Sequence, residues 1–147
     1  MHGSLVGDAD SSITKQLSSH KLYGATPIQK IECVNHLLRN FCNKLKDLSS
    51  PSSHLIIPLN LRKKLESNIL RFRISIKKAA AFRIQMTVPL AEKIPLFQND
   101  IKNFVAHIFG EYSNCEEYFC KGTIDQEENI MPELIRCGFI DDIMACL

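Results

Sequence analysis

The spacing of apolar and polar residues changes character several times along this chain. Ser4-Leu5-Val6-Gly7 is a short apolar run leading directly into Asp8-Ala9-Asp10-Ser11-Ser12, which reads as a strand end followed by a turn or a helix cap. Ile13 to Leu22 predicts a short helix with Ile13, Leu17 and Leu22 inward, and Tyr23 to Pro27 predicts a turn. Ile28 to Cys33 alternates apolar and polar, the signature of a strand. From Val34 to Leu48 the period becomes helical. Leu37, Leu38, Phe41, Cys42, Leu45 and Leu48 form one face, while Arg39, Asn43, Lys44, Lys46 and Asp47 lie elsewhere. Ser49-Ser50-Pro51-Ser52-Ser53 ends that helix and begins a Ser/Pro linker over 49–57.

Leu59 to Met86 predicts one long helix or two, with Leu61, Leu65, Ile69, Phe72, Ile76, Ala79, Ala80 and Arg83 at helical spacing. Pro89 and Pro95 interrupt the pattern. A further helix is expected from about Phe97 to Phe109, with Ile101, Phe104, Val105 and Ile108 inward and Gly110 as its C-terminal cap. Glu111 to Asn129 is polar and aperiodic, and Ile130 to Leu147 is helical with a break near Gly138. The order is strand, helix, strand, then helices alone, an α/β chain that is predominantly α-helical. It opens on the tail of a strand and closes on an uncapped helix, so both ends look cut.

At 147 residues, with 45% hydrophobic and 23% charged residues, the chain suits one folded domain rather than a large enzyme. No run approaches the roughly 18 apolar residues of a membrane span. No basic cluster precedes an apolar stretch at the N-terminus, so no signal peptide is visible. The expectation is a nuclear or cytoplasmic protein, not secreted and not in a membrane. In that setting the six cysteines read as free buried thiols, some of them metal ligands, rather than as disulfides.

The net charge of +2 conceals an asymmetry. Between Lys15 and Arg83 bases dominate, including Arg62, Lys63, Lys64, Arg71, Arg73, Lys77 and Lys78, against only Glu32, Asp47 and Glu66. From Glu111 onward the balance inverts, with only Lys121 and Arg136 among many acids. The basic helical half can bind DNA phosphates through counterion release. It reads equally as a solvated helix face paired with the acidic half.

Three constellations can carry chemistry. Asp8 and Asp10 behind an apolar strand can hold Mg2+ or Mn2+, hard cations that take oxygen ligands; the same residues are also favoured helix caps. Cys33-Val34-Asn35-His36 places a thiolate and an imidazole within reach of one zinc ion, or supplies a buried Cys and a surface His. Cys115 and Cys120, in Cys-x4-Cys spacing, can complete a Cys3His site with them. His107 is a less favoured substitute ligand, because it lies on a helix close to the inward face. No Ser-His-Asp triad or Gly-rich phosphate loop can be read.

In their order these elements resemble the Mutator-like transposase domain found in insect mobile elements. The resemblance rests on Gly7-Asp8-Ala9-Asp10-Ser11-Ser12, on Tyr23-Gly24, on Ile28 to Asn40 with its Cys-x2-His, and on Phe104 to Cys120. It implies a ribonuclease H-like core with an Asp, Asp, Glu triad, of which Asp8 matches the middle carboxylate and Asp10 is the runner-up. It also implies that Cys33 and His36 are the motif following that strand, and that a helical insertion comes after the linker. The expected organisation is a partial ribonuclease H-like core over 1–48, a linker over 49–57 and a helical insertion over 58–147. The first Asp and the final Glu have no counterpart here. The expected function is that of a transposase catalytic-domain fragment, inactive alone, that keeps DNA as a partner and can self-associate. The alternative is a helical zinc-containing module that binds DNA or protein without catalysis.

Overall fold

The structure, a computed structural model, describes residues 3–7, 28–52, 56–122 and 127–147, the strands through their backbone. The elements are β1 (Gly3–Gly7), β2 (Ile28–Glu32), α1 (Val34–Ser49), α2 (Leu59–Ile84), α3 (Leu90–Ile108), α4 (Met131–Arg136) and α5 (Phe139–Met144), so the chain is predominantly helical. It divides into two compact units, Met1–Phe41 and Cys42–Leu147, the division falling within α1.

In the first unit β1 and β2 pair in parallel, from Gly3 opposite Ile28 to Gly7 opposite Glu32. Parallel neighbours need a connection of a dozen or more residues, and residues 8–27 provide it. The helix expected at Ile13–Leu22 and the turn at Tyr23–Pro27 lie outside the described residues. α1 begins one residue after β2. The Cys33 carbonyl accepts from the amides of His36 at 2.9 Å and Leu37 at 3.1 Å, closing the first helical turn. Leu38, Phe41 and Leu45 are buried as the period predicts. Leu37 is not: it is 51% exposed. One residue turns a helix by about 100°, which carries Leu37 beyond the edge of the arc that Leu38 and Leu45 share.

The second unit is built on α2 and α3, packed together across the short connection 85–89. α2 is a single helix. It buries Leu61, Leu65, Ile69, Phe72, Ala79 and Arg83, while Ile76 and Ala80 are half-buried. Phe104, Val105 and Ile108 of α3 join them, and Phe109 meets Phe72 edge-on with centroids 5.8 Å apart. Leu45, Leu134, Phe139 and Ile143 complete the fully buried set. Each such side chain contributes about 1.5–3 kcal/mol by leaving water.

α3 starts earlier than its prolines suggest. Pro89 stands at the N-cap, its carbonyl accepting from Glu92 at 3.0 Å and Lys93 at 3.2 Å. Pro95 sits inside the helix with its ring exposed. Proline costs one backbone bond there, but its fixed φ is already helical. The buried side chains further along carry the helix through.

The end of α3 is a Schellman motif. The Glu111 amide donates to the Ala106 carbonyl at 3.0 Å, and the Gly110 amide to that of His107 at 3.1 Å. Gly110 takes φ +89 and lies against the 128–129 backbone, where a Cβ would come within 2.5 Å of the Glu128 carbonyl oxygen. Gly138, with φ +74, makes the predicted break between α4 and α5.

Candidate metal centre and basic helix

The Schellman turn sends the chain back over the last turn of α3, and that reversal builds the site. His107 lies in this last turn. Residues 112–115 then form a turn closed by the Cys115 amide on the Tyr112 carbonyl at 3.1 Å. A second turn brings the Cys120 amide onto the Glu116 carbonyl at 3.1 Å, so the stretch from Cys115 to Cys120 folds back on itself. The result is a cluster of His107, Cys115 and Cys120, each half-buried, with donor atoms all within 4.8 Å of one another. His107 Nδ1 lies 3.2 Å from Cys115 Sγ. The Gly122 amide points at Cys120 Sγ from 3.3 Å.

Aromatic rings hold the imidazole in place. Tyr112 meets it edge-on at 4.9 Å and Phe119 at 4.7 Å. Phe119 packs in turn on Phe104 at 4.0 Å and lies under the Lys78 ammonium at 5.2 Å. Burial, then the nearby Arg71 and Lys78 cations, lowers the His107 pKa and favours the neutral, ligating imidazole. Burial, then the neighbouring Cys120, pushes the Cys115 thiol up to about 12. One imidazole and two sulfurs form a soft donor set that suits zinc and does not suit Mg2+ or Mn2+.

The surrounding polar network ties this segment to both long helices. Arg83 of α2 grips Asp100 of α3 in a bidentate pair, Nε to Oδ2 at 2.7 Å and Nη2 to Oδ1 at 2.6 Å, with Asp100 only 1% exposed. Tyr118 stacks on Phe82 at 3.8 Å, and the Arg83 guanidinium lies 5.5 Å from its ring. Arg71 reaches Glu127 at 3.1 Å, and the Tyr112 hydroxyl donates to the same carboxylate.

The sequence-derived candidates are distributed as follows. Cys115 and Cys120 come together, and they do so with His107. Cys33 and His36 belong to the first unit, at the start of α1. Asp8 and Asp10 lie outside the described residues, although β1 ends at Gly7 immediately before them. The basic residues of α2 separate into two groups. Arg62 donates to the Ser50 carbonyl at 3.0 Å, Arg71 is paired, and Lys78 donates to the Phe119 carbonyl at 3.4 Å. Lys63 and Lys77 are exposed, and Lys64 and Arg73 half-buried; none of these four side chains makes a hydrogen bond or ion pair among the described residues. His107 and Asp100 are the residues that sequence reasoning undervalued. The signal for His107 was local: it precedes a helix-ending glycine and stands eight positions before Cys115, within one short segment.

The fold is a mainly helical body with a parallel strand pair, and its site is a nitrogen–sulfur metal-type cluster beside a basic helix. The chain belongs to the Mutator-like transposase family: the family's sequence model, described as Mutator-like transposase, matches residues 2–120. That match takes in Asp8, Asp10, Cys33, His36 and His107, and ends at Cys120. No curated protein and no solved structure matches the chain. Among the described residues no helix is long and apolar enough to cross a membrane.

Proposed function

We propose that this chain is a transposase-derived domain that binds DNA through α2 and does not cleave or join DNA by itself. The observation that carries this reading is the family match over 2–120, which spans both units. On this reading 1–48 is part of a ribonuclease H-like core, 49–57 the linker and 58–147 the helical insertion. The parallel β1–β2 pair, its long connection and the helix behind it suit such a core. Asp8, with Asp10 second, is the carboxylate at the end of β1 that would take Mg2+ or Mn2+ in the family's phosphodiester chemistry. A two-metal site needs several carboxylates around both ions, and this chain carries residues matched to one of the triad. Nuclear or cytoplasmic residence and self-association belong to the same proposal.

A nicking and strand-transfer assay on the purified chain with manganese tests the catalytic part. The expected result is no product above background. Robust activity abolished by Asp8→Ala would overturn it. A second reading, a helical zinc-containing module that binds DNA or protein without catalysis, is favoured by the His107, Cys115 and Cys120 cluster.

A further inference from the structure

We propose that His107, Cys115 and Cys120 are ligands of a zinc site that clamps the segment after α3 onto the last turn of that helix. This site stands on its own geometry and does not depend on the transposase reading. In a tetrahedral zinc site with bonds of 2.0–2.3 Å, neighbouring donors lie about 3.5–3.8 Å apart. The three donors here are already within 4.8 Å of one another, so small adjustments of the side chains complete the geometry.

Three features point to an ion rather than to simple packing. The donors are one imidazole and two thiols, the ligand types of structural zinc. Cys120 Sγ accepts from the Gly122 amide at 3.3 Å and donates to the Gly122 carbonyl at 3.3 Å; once the thiol proton has gone, the amide remains as a donor to the thiolate. Gly122 takes φ +111, a conformation that side-chain-bearing residues rarely adopt. The imidazole is held edge-on by both Tyr112 and Phe119, which fixes the direction of its ring nitrogens. When zinc binds, each thiol gives its proton to solvent as its sulfur bonds to the ion, and the neutral imidazole contributes a lone pair.

The clamp has a structural consequence. Residues 111–122 carry Tyr118 and Phe119, which cover Phe82, Phe104 and Lys78 on the two long helices. Fixing Cys115 and Cys120 to His107 fixes both ends of the turn that presents these rings. Loss of the ion then loosens this cover while leaving the α2–α3 core in place.

The experiment uses the full 147-residue chain. Metal analysis after purification without chelator should find about one zinc per chain. Cobalt exchanged into the protein should give the intense visible bands of a tetrahedral ion together with a near-ultraviolet thiolate charge-transfer band. Alkylation mapped by mass spectrometry should show Cys115 and Cys120 protected by zinc and exposed by chelation, with Cys33, Cys42, Cys137 and Cys146 unchanged. His107→Ala should weaken zinc binding at least tenfold while helix content by circular dichroism is retained. Folded chain without stoichiometric zinc would overturn the proposal. So would protection extending to Cys33, or undiminished zinc affinity in a folded His107→Ala chain, either of which would place another ligand where His107 is assigned. If His107→Ala does not fold, the cobalt spectrum and the alkylation pattern of the natural chain decide alone.

Discussion

Asp100 is a carboxylate buried inside the second unit. It is fully buried, and its charge is met by both ends of the Arg83 guanidinium. Asp100→Ala leaves the buried Arg83 guanidinium with only the exposed Glu116 carboxylate, 3.6 Å from Nη2, and breaking a buried pair costs up to about 3–5 kcal/mol. Asp100→Ala should therefore lower the urea midpoint strongly. The double change Arg83→Met with Asp100→Leu should recover most of the loss, because two apolar side chains leave no charge behind. Equal destabilisation by the single and double variants would contradict this account. In the sequence Arg83 was visible as the last member of an apolar stripe, but Asp100 looked like any acid on a helix. Its burial follows from where α3 crosses α2, and one-dimensional spacing does not carry that.

Glu127 makes a pH-dependent contribution at the same scale. The Tyr112 hydroxyl and then the Arg71 guanidinium hold its carboxyl below the ordinary glutamate value, although its burial works against them. A depressed folded-state value means the stabilisation is complete above the unfolded value of about 4.3 and is lost as pH falls through the folded one. Unfolding midpoints followed from neutral to acid pH should drop in this window. Glu127→Gln should flatten that part of the curve, since glutamine still accepts from Tyr112 but does not titrate. An unchanged acid limb in the variant would show that Glu127 is not responsible.

At the scale of elements, the helix-ending turn at Gly110 is the most sensitive position. Its φ of +89 is one that other residues adopt only with strain, and a Cβ would meet the Glu128 and Asn129 backbone. Gly110→Ala should cost about 1–3 kcal/mol for conformation, with the close approach adding to it. Thermal unfolding compared with Gly138→Ala checks the reason. Gly138 also has positive φ, but a Cβ there would have no atom within 4 Å. A Gly110→Ala variant no less stable than Gly138→Ala would count against it. Most elements were legible from period alone. The strand at 3–7, the switch from strand to helix at Cys33, the long helix from Leu59 and the Gly138 break all follow from local patterns that tertiary packing did not override. The start of α3 was not legible, because Pro95 has the chemistry of a breaker while the packing of Phe104, Val105 and Ile108 sustains the helix beyond it. Of the cluster of His107, Cys115 and Cys120, only part could be read from spacing. Two cysteines at Cys-x4-Cys spacing announced a soft site, but the third donor depended on a chain reversal that only the Schellman turn creates.

For the whole molecule, the division of charge is the feature on which the proposed DNA binding rests. The net charge of +2 gave no hint of DNA, and the basic helix did. The structure narrows the candidates further, since Arg62, Arg71 and Lys78 already serve contacts within the chain. Lys63 and Lys77 lie fourteen positions apart on the exposed face of α2, about 21 Å along the helix axis. Leu70 and Ile74 are exposed between them. The most direct measurement is the affinity of the full chain for a short duplex of arbitrary sequence as salt is varied. The account predicts affinity that falls linearly on logarithmic axes, little sequence preference, and a slope reduced by about 2 in the Lys63→Ala, Lys77→Ala double variant. No binding at low salt, or binding that ignores both salt and these two lysines, would contradict it.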